Sequence, residues 1–568
     1  MTAVTTAGAV SHRAVEWQAL SWPKLHHTVR RLQMRIVQAV QAGRWGKVQA
    51  LQHLLTHSFA AKALAVKRVT ENPGRRTPGV DGLRWDTPEK KAEAISHLRQ
   101  QGDRPHPVRR LWIPKLHGKG RRPLGIPCLL DRAMQALYLH ALEPIAETTG
   151  DPNSYGFRPG RSTADAIEQC FTVLNKRKSP KWVLEGDIQS CFDEISHEWL
   201  LAHIPMDKGI LRKWLTAGFM EQGTLSPTEA GTPQGSIASP VLANLTLDGL
   251  ERALRTHFPK PKNHHNAQVN MVRYCDDGIV TARSQEVLEH QVKPVVEAFL
   301  AERGLRLSPT KTVITHSEEG FDFLGQQVRW YKDKLLIKPS RQSIKTLLGK
   351  VREVLKVTLP TPAGHLIGQL NPLLRGWATY HRHGVSKVIF AKMDHAIFQA
   401  VWRWARRRHP NKPPGWRRQK SFTRVAHNHW VFFGTTTTSQ GKTQEHRLLR
   451  LAYTPIKRHV KVKAEANPYD PAWERYFEAR LGVKMADTLQ GRRSLLYLWR
   501  EQSGRCPVCA QLITQLTGWH SHHLVWRSQG GADSAANRVL LHPTCHQQVH
   551  SQGLTVAKPR PATGVAKA

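Results

Sequence analysis

The chain has 568 residues, 40% of them hydrophobic, and single cores rarely grow past about 250 to 300 residues, so several domains are expected. Lys and Arg outnumber Asp and Glu by 84 to 43, a formal charge of +41 with a sequence pI near 10.5. That balance, with Trp and Tyr interleaved, implies a polyanionic partner and favours nucleic acid over an anionic lipid surface. No apolar run approaches the roughly 20 residues of a bilayer span. Met1 to His12 lacks the basic start and apolar centre of a secretory signal, so a cytoplasmic address is expected. Cys128, Cys170, Cys191 and Cys275 are scattered and read as reduced core thiols, whereas Cys506, Cys509 and Cys545 crowd near the end and suggest a metal.

In chain order, residues 24–68 read as two amphipathic helices, one carrying Val29, Leu32, Ile36 and Val40, the next Val48, Leu51 and Leu55, with Gly43 as a stop between them. Arg109 to Lys115 and Arg122 to Pro127 read as short strands joined by a basic, Gly-rich loop, which would place Lys115 and Arg122 at the mouth of a hairpin. There they would hold a triphosphate or simply solvate the loop. Asp131 to Ala146 is helical, and a second helix starts near Ser162. Between them, Arg158 and Arg161 would either bind a template backbone or cap and solvate their loop.

Trp182 to Ile188 reads as a strand ending in Asp187, with Phe192 five residues on. Gly231 to Pro240 forms a loop ahead of a helix, Val241 to Leu254, whose N-terminal amides would face a nucleotide or merely start a helix. Met271 to Val280 reads as a hairpin with Asp276 and Asp277 at its turn, although Asp-Gly is also an ordinary hairpin turn. Two-metal phosphoryl chemistry holds its ions about 3.5–4 Å apart and needs carboxylates from more than one strand. Asp187 supplies the third acid.

After a strand-like stretch ending near Lys338, three helices are marked by Ile344, Leu347, Val351 and Leu355; by Leu366, Leu370, Leu373 and Trp377; and by Phe390, Met393, Ile397 and Val401. Trp402 to Lys420 holds eight Arg or Lys, no acid, and Trp402, Trp404 and Trp416. Such a run neutralises phosphates and stacks on exposed bases, or is a solvated helix end. Val431 to Gln440 reads as turns or strand edges, Ala464 to Asp470 as a linker, and the basic residues from Arg447 to Lys463 would hold DNA or keep the linker in solution.

Cys506-Pro-Val-Cys509 and His542-Pro-Thr-Cys545 give four soft ligands at structural zinc spacing. His546 and His550 stand at i and i+4 on one helix face, and a hairpin delivering His522 would complete a three-His divalent site. His523, next along that strand, would point elsewhere and take a proton from water. The bland reading is a structural zinc module rich in His.

The ordered set Trp112 to Lys115, Arg122 to Pro127, Tyr155 to Gly160, Asp187 to Asp193, Gly231 to Gly235, Tyr274 to Asp277, Gly304 to Lys311 and Phe321 to Gly325 resembles the block series of bacterial group II intron reverse transcriptases. Leu366 to Gly384 resembles the maturase domain that follows the polymerase in that family, and residues 519–550 resemble the HNH, or ββα-metal, nucleases. The resemblance implies an α+β architecture: right-hand fingers and palm, an α-helical thumb and maturase domain, and a C-terminal ββα-metal module with a zinc knuckle. The expected domains are an N-terminal helical extension (1–74), fingers and palm (75–335), thumb and maturase domain (336–430), a basic DNA-binding linker region (431–491), the nuclease (492–555) and a disordered basic tail (556–568).

It further implies Asp187, Asp276 and Asp277 as the Mg2+-binding catalytic triad, Phe192 as the gate against a ribose 2′-OH, Lys115 and Arg122 as triphosphate contacts, and Gln234 near the incoming nucleotide. Arg375, Tyr380, Arg382, Arg406 and Arg407 are the candidate RNA contacts. In the nuclease it implies His523 as general base, Asn537 as the residue holding the loop, and His522, His546 and His550 as ligands of a divalent metal such as Mg2+; Cys506, Cys509, His542 and Cys545 would hold Zn2+. The implied partners are a group II intron RNA, a DNA target and deoxynucleoside triphosphates, with no membrane and a homodimer as a candidate assembly. Cys275, Gly278 and Ser236 depart from the family pattern, which has Ala, often Phe, and a second Gly at those places. The last two support an alternative, a splicing-only maturase with a degenerate palm. A retron-like lineage is opposed by the maturase segment and the nuclease.

Overall fold

The computed structural model describes residues 16–100, 102–114, 120–259, 267–437, 441, 443–489, 493–515, 517–526 and 529–559. The N-terminal segment folds as three helices, Trp22–Gln41, Trp45–His57 and Phe59–Glu71. The sequence suggests two; the second is broken at Ser58, whose extended backbone (φ −65°, ψ 128°) turns the chain between the last pair. All seven apolar positions that mark the expected faces are buried, packed with the long helix Leu129–Thr149 in the largest core.

Strands β1 (Val108–Pro114) and β2 (Arg121–Ile126) form the expected antiparallel hairpin. It is extended through parallel pairing of β1 with β4 (Phe219–Glu221) and then β5 (Thr224–Ser226), giving the order β2-β1-β4-β5. The palm sheet runs β6-β7-β3-β8, from Asn270–Tyr274, Asp277–Ala282, Trp182–Asp187 and Val313–His316, every neighbour antiparallel. Central β3 carries Val183 and Leu184 fully inside, as a strand with helices on one face and a second sheet nearby requires.

The helix expected over 241–254 is two, Ser239–Leu247 and Leu250–His257. The break lets Asp248 leave the helix and accept a hydrogen bond from Arg273, fully buried behind the 271–280 hairpin. Arg158 and Arg161 are likewise interior. Arg158 Nε donates to Glu147 at 2.9 Å, and Arg161 Nη2 donates to the Ala464 and Ala466 carbonyls. Arg158 also caps its loop, Nη1 donating to the Asp151 and Ser154 carbonyls, but neither side chain is solvated or reaches a template backbone, because buried acceptors need these donors.

A small sheet, β9 (Phe321–Phe323), β10 (Gln326–Tyr331) and β11 (Lys334–Pro339), leads into the three expected thumb helices, Arg341–Val357, Ala363–His381 and Lys387–Arg408. Their inner faces form a separate core that also takes Phe422 of β12 (Phe422–Val425), Phe432 of β13 (Asn428–Thr437) and Leu451 beyond β14 (Thr443–Arg447). Trp404 is buried in this core, so it packs and does not stack on bases.

The segment that reads as a linker at 464–470 is packed. Val462, Ala466 and Phe477 enter the core behind the palm, and Asn467 Nδ2 donates to Thr148 at 3.0 Å. Its anchor is the buried Asp165 carboxylate, which accepts from Ser162 Oγ, the Val462 amide, His459 Nε2 and Arg480 Nη2 at 2.6–2.9 Å. Burial alone would raise this carboxyl, but the hydrogen bonds from His459 and Ser162 outweigh it and hold it at about 2. The C-terminal module has its own core around the hairpin β15 (His520–His523) and β16 (Arg538–Leu541) and the helix Pro543–Gln552. That helix leans on the N-terminal segment, where Gln548 Nε2 donates to the Gln18 and Leu20 carbonyls. Among the described residues no helix is long and apolar enough to cross a membrane.

Candidate active sites of the palm and the C-terminal module

Pairing of β3 with β7 sets Asp187 directly opposite Asp277. Tyr274 also pairs with Asp277, so the two turn residues are Cys275 and Asp276, and Cys275 takes the left-handed backbone (φ +59°) that a two-residue hairpin favours. Asp277-Gly278 is therefore strand rather than turn. Gly278 stands opposite Arg273 and Gly186, and a Cβ there would meet only the Val272 carbonyl, at 4.0 Å, so this departure leaves the hairpin register intact. Ser236 is equally well housed: its buried hydroxyl donates to Gln135 Oε1 at 2.7 Å.

The hairpin is gripped from behind. Arg273 Nη1 donates to the Cys275 carbonyl at 3.2 Å and to Asn244 Oδ1, while Asn244 Nδ2 donates to the Gly156 carbonyl at 2.9 Å. A Cβ on Gly156 would stand 2.2 Å from the Cys275 amide nitrogen, so the loop before Phe157 approaches the turn as only glycine can.

The acids feel one another. Burial raises Asp276 and the charge of Asp187 adds to that; desolvation in the cleft, then Asp276 and Asp187, raise Asp277 to about 6. Lys311 and Arg122 oppose both shifts, and Lys311 Nζ donates to Asp187 Oδ2 at 3.0 Å. The three carboxylates are nevertheless not among the clusters whose ligand atoms all lie within 4.8 Å of one another. A cavity of about 330 Å3 is lined by Phe192, five residues beyond Asp187 in sequence, with Gln234, Arg110, Asp193 and Glu229; the three acids are not among its walls. Phe192 meets Phe157 edge-on at 6.2 Å, and the Gln234 carbonyl accepts from the Gly125 amide, tying this wall to β2. Arg122 is exposed on β2, with its charge directed at the acids, whereas Lys115 lies outside the described residues. Lys311 and Arg110 had no assigned role in the sequence; their signal is only that they are cations within the matching blocks or beside them.

Of the thumb candidates, Arg375, Arg406 and Arg407 are exposed. Tyr380 is 40% exposed with its hydroxyl donating to the Leu324 carbonyl. Arg382 is buried, 4% exposed, at the junction of thumb and palm, so it cannot present its guanidinium to RNA in this conformation.

In the C-terminal module, Cys506, Cys509, His542 and Cys545 are all buried with their ligand atoms within 4.8 Å. Hydrogen bonds from Cys509 and Cys545 push Cys506 well down toward thiolate. Burial opposes but does not cancel the pull of Cys506 and Cys509, which raise His542 to about 10. Groups that trade protons at this range form a donor set suited to zinc. His522, His546 and His550 make a second cluster within 4.8 Å, with His546 Nε2 and His550 Nε2 3.1 Å apart. Desolvation, then neighbouring His, lower His546 to about 4 and lower His522 as well, keeping both imidazoles neutral.

His523 points off this cluster, and its Nε2 meets Asp533 Oδ1 at 3.1 Å; Asp533 is itself paired with Arg538. Asp533 lies ten residues from His523 across a loop, where no spacing rule points to it. Asn537 bonds across that loop: its Oδ1 accepts from the Val525 amide and its Nδ2 donates to the Val525 and Ala532 carbonyls. The loop is tight enough that a Cβ on Gly531 would fall 1.9 Å from the Val525 carbonyl oxygen.

Family models match four successive stretches: an N-terminal domain of reverse transcriptase at residues 17–98, a reverse transcriptase (RNA-dependent DNA polymerase) at 113–328, a group II intron maturase-specific domain at 344–422 and an HNH endonuclease at 506–552. Protein YkfC of Escherichia coli is 31% identical over 323 residues, covering 50% of this chain and 83% of that protein. The group II intron-encoded protein LtrA of Lactococcus lactis is 29% identical over 350 residues, covering 51% of this chain and 58% of LtrA, less than two thirds of its length. An uncharacterized 91 kDa protein in a cob intron of Schizosaccharomyces pombe is 29% identical over 401 residues, covering 56% of this chain and 49% of that protein. A telomerase from Candida albicans aligns at 13% identity with a TM-score of 0.32, covering 55% of this chain and 63% of that one, too distant to carry an argument. With these domains in this order, the chain belongs to the multifunctional group II intron-encoded proteins, which join a reverse transcriptase, an intron maturase domain and an HNH endonuclease.

Proposed function

We propose that this protein nicks a DNA target with its C-terminal module and extends the exposed 3′-OH at its palm, copying the intron RNA that its thumb helps to fold. The observation that carries the reading is the register of β3 and β7, which sets Asp187 opposite Asp277 beside the turn acid Asp276. Asp187, Asp276 and Asp277 would hold Mg2+, His522, His546 and His550 a divalent cation such as Mg2+, and Cys506, Cys509, His542 and Cys545 Zn2+. The mutual repulsion of the palm acids and the neutral imidazoles of the module fit those assignments. When bound, the divalent cations would lower the pKa of the attacking oxygen and neutralise the leaving group.

The side chains do the rest. Arg122 on β2, with Lys115 next in sequence after β1, neutralises the triphosphate of an incoming deoxynucleotide. Phe192, braced by Phe157, narrows the sugar pocket. Lys311 holds the Asp187 carboxylate in one orientation. In the nuclease, Asp533 on Nε2 of His523 leaves Nδ1 to take a proton from the attacking water. Arg375, Tyr380, Arg406 and Arg407 on the thumb meet the RNA backbone.

Asp276→Ala should abolish DNA synthesis on an RNA template while leaving the nick, and His523→Ala should abolish the nick while leaving synthesis on a supplied primer. Loss of both activities from either change would overturn the two-site reading. The satisfied surroundings of Ser236 and Gly278 leave the splicing-only alternative without a structural lesion to support it.

A further inference from the structure

The thumb carries a groove that none of these roles uses. It measures about 640 Å3 and lies between the Lys387–Arg408 helix and the β12–β13 hairpin. Phe398, Trp402, Phe422 and Trp430 line one side, meeting in pairs at 5.5–5.7 Å with mostly edge-on geometry. Core packing accounts for Phe422, which is 5% exposed, and for Trp404 and Phe432 beneath it. It does not account for Trp430, which is 40% exposed at the rim, or for an open volume in the size range of small-ligand pockets, about 300–1,000 Å3.

The charge around the groove is mostly positive. From His395 to Gln444 the sequence contains ten Lys or Arg and no Asp or Glu. The Arg418 guanidinium lies 4.7 Å from the centroid of Trp430, while Arg403, Lys420 and Arg424 are exposed on the flanking elements. The acid in the wall, Asp394, is already taken up by the Leu451 and Ala452 amides at 2.7 and 2.9 Å. Aromatic faces inside a ring of cations match one ligand chemistry well: a nucleobase turned out of its stack, with phosphates on either side. A duplex keeps its bases stacked and offers nothing to such a slot.

We propose that this groove holds an unstacked base of a single-stranded segment of RNA, with Trp430 and Trp402 as the stacking surfaces and Arg418 near the adjoining phosphate. The inference rests on the reading that the chain binds intron RNA and adds a defined site to it. Any base presents a π-face, so the site is tolerant of sequence and selective for single strands.

The test uses the full-length protein and a short single-stranded RNA carrying 2-aminopurine, whose fluorescence is quenched on stacking. The wild type should quench the probe. Trp430→Ala should weaken its binding roughly tenfold with the salt dependence unchanged, because no phosphate contact is lost. Trp430→Phe, which keeps a ring, should restore most of the affinity and shows that the loss is not misfolding. An abasic version of the oligonucleotide should bind the wild type about as weakly as the intact one binds Trp430→Ala. If the wild type binds long intron RNA but Trp430→Ala quenches the probe equally, or the abasic oligonucleotide binds as tightly as the intact one, the groove is not a base site and suits another occupant such as an apolar peptide. Failure of the wild type to bind any RNA would overturn the RNA reading itself and the groove with it.

Discussion

The proposed metal sites of the palm and of the C-terminal module are built in opposite ways. The module draws two ligand sets together, each within 4.8 Å, from residues no more than about 40 positions apart in sequence. The palm places its acids through a strand pairing that joins Asp187 to Asp277 across 90 residues, and it does not bring the three carboxylates within that range. Donor chemistry explains the contrast. Neutral imidazoles and thiols that share protons pack together unaided, whereas ionised carboxylates repel and need a cation, here Lys311, to stand in the same cleft. One site should therefore contribute to folding and the other should cost stability until it is filled.

The largest effect tests the module. Cys545→Ser should remove bound zinc, measured by elemental analysis, and unfold residues 506–552, because structural zinc contributes on the order of 10 kcal/mol to small domains. Nicking should vanish while primer extension on RNA persists. Loss of primer extension as well would mean that the palm depends on the module.

The next effect concerns the strap between the two regions. Asp165→Asn removes the charge that faces His459 and Arg480, and breaking a buried pair in this way costs roughly 3 kcal/mol. Limited proteolysis should then cut the segment between 456 and 484, with both active sites still formed. The folded carboxyl sits at about 2, below its usual value near 3.9. This depressed acid contributes its full stability above about pH 4 and loses it as pH falls toward 2. Wild-type protection of the strap should fade in that window, and the variant should show no such step. Equal protection of the two proteins at pH 7 would remove Asp165 as the anchor.

A third change probes how tightly the palm is built. Gly156→Ala puts a methyl group against the Cys275 amide, which must move, at a cost of roughly 1–3 kcal/mol. DNA synthesis should fall while nicking is unchanged. Synthesis at the wild-type rate would show that the turn tolerates displacement.

The same contrast governs what could be read from the sequence. The thumb helices, β3 and the 271–280 hairpin follow from local period and turn chemistry, and both ligand sets of the module follow from spacing. What escaped depends on partners far away along the chain. Arg158 and Arg161 look solvated until Glu147 and the Ala464 and Ala466 carbonyls are placed beside them, and the strap looks like a linker until His459 meets Asp165, 294 residues away. Arg382 reads as an RNA contact because its neighbours do, but the fold buries it. Lys311 and Asp533 act by orienting another residue, a role with no spacing rule.

The smallest effect bears most directly on the contrast. Asp277 is raised to about 6 by desolvation and by Asp276 and Asp187, so near neutral pH its ionised form works against the fold when no divalent cation is present. Asp277→Asn keeps the shape and removes one like charge. In EDTA its melting temperature should exceed that of the wild type, but only by about 1–2 °C, because Asp277 lies at the open cleft where water screens the repulsion. Added Mg2+ should stabilise the wild type more than the variant and close or reverse the gap. The two proposed metal sites then respond in opposite senses to loss of a candidate ligand, with Cys545→Ser lowering stability and Asp277→Asn raising it. A lower melting temperature for Asp277→Asn in EDTA would mean that Lys311 and Arg122 already balance the palm acids, and the contrast between a site that stabilises and a site that must be filled would fail.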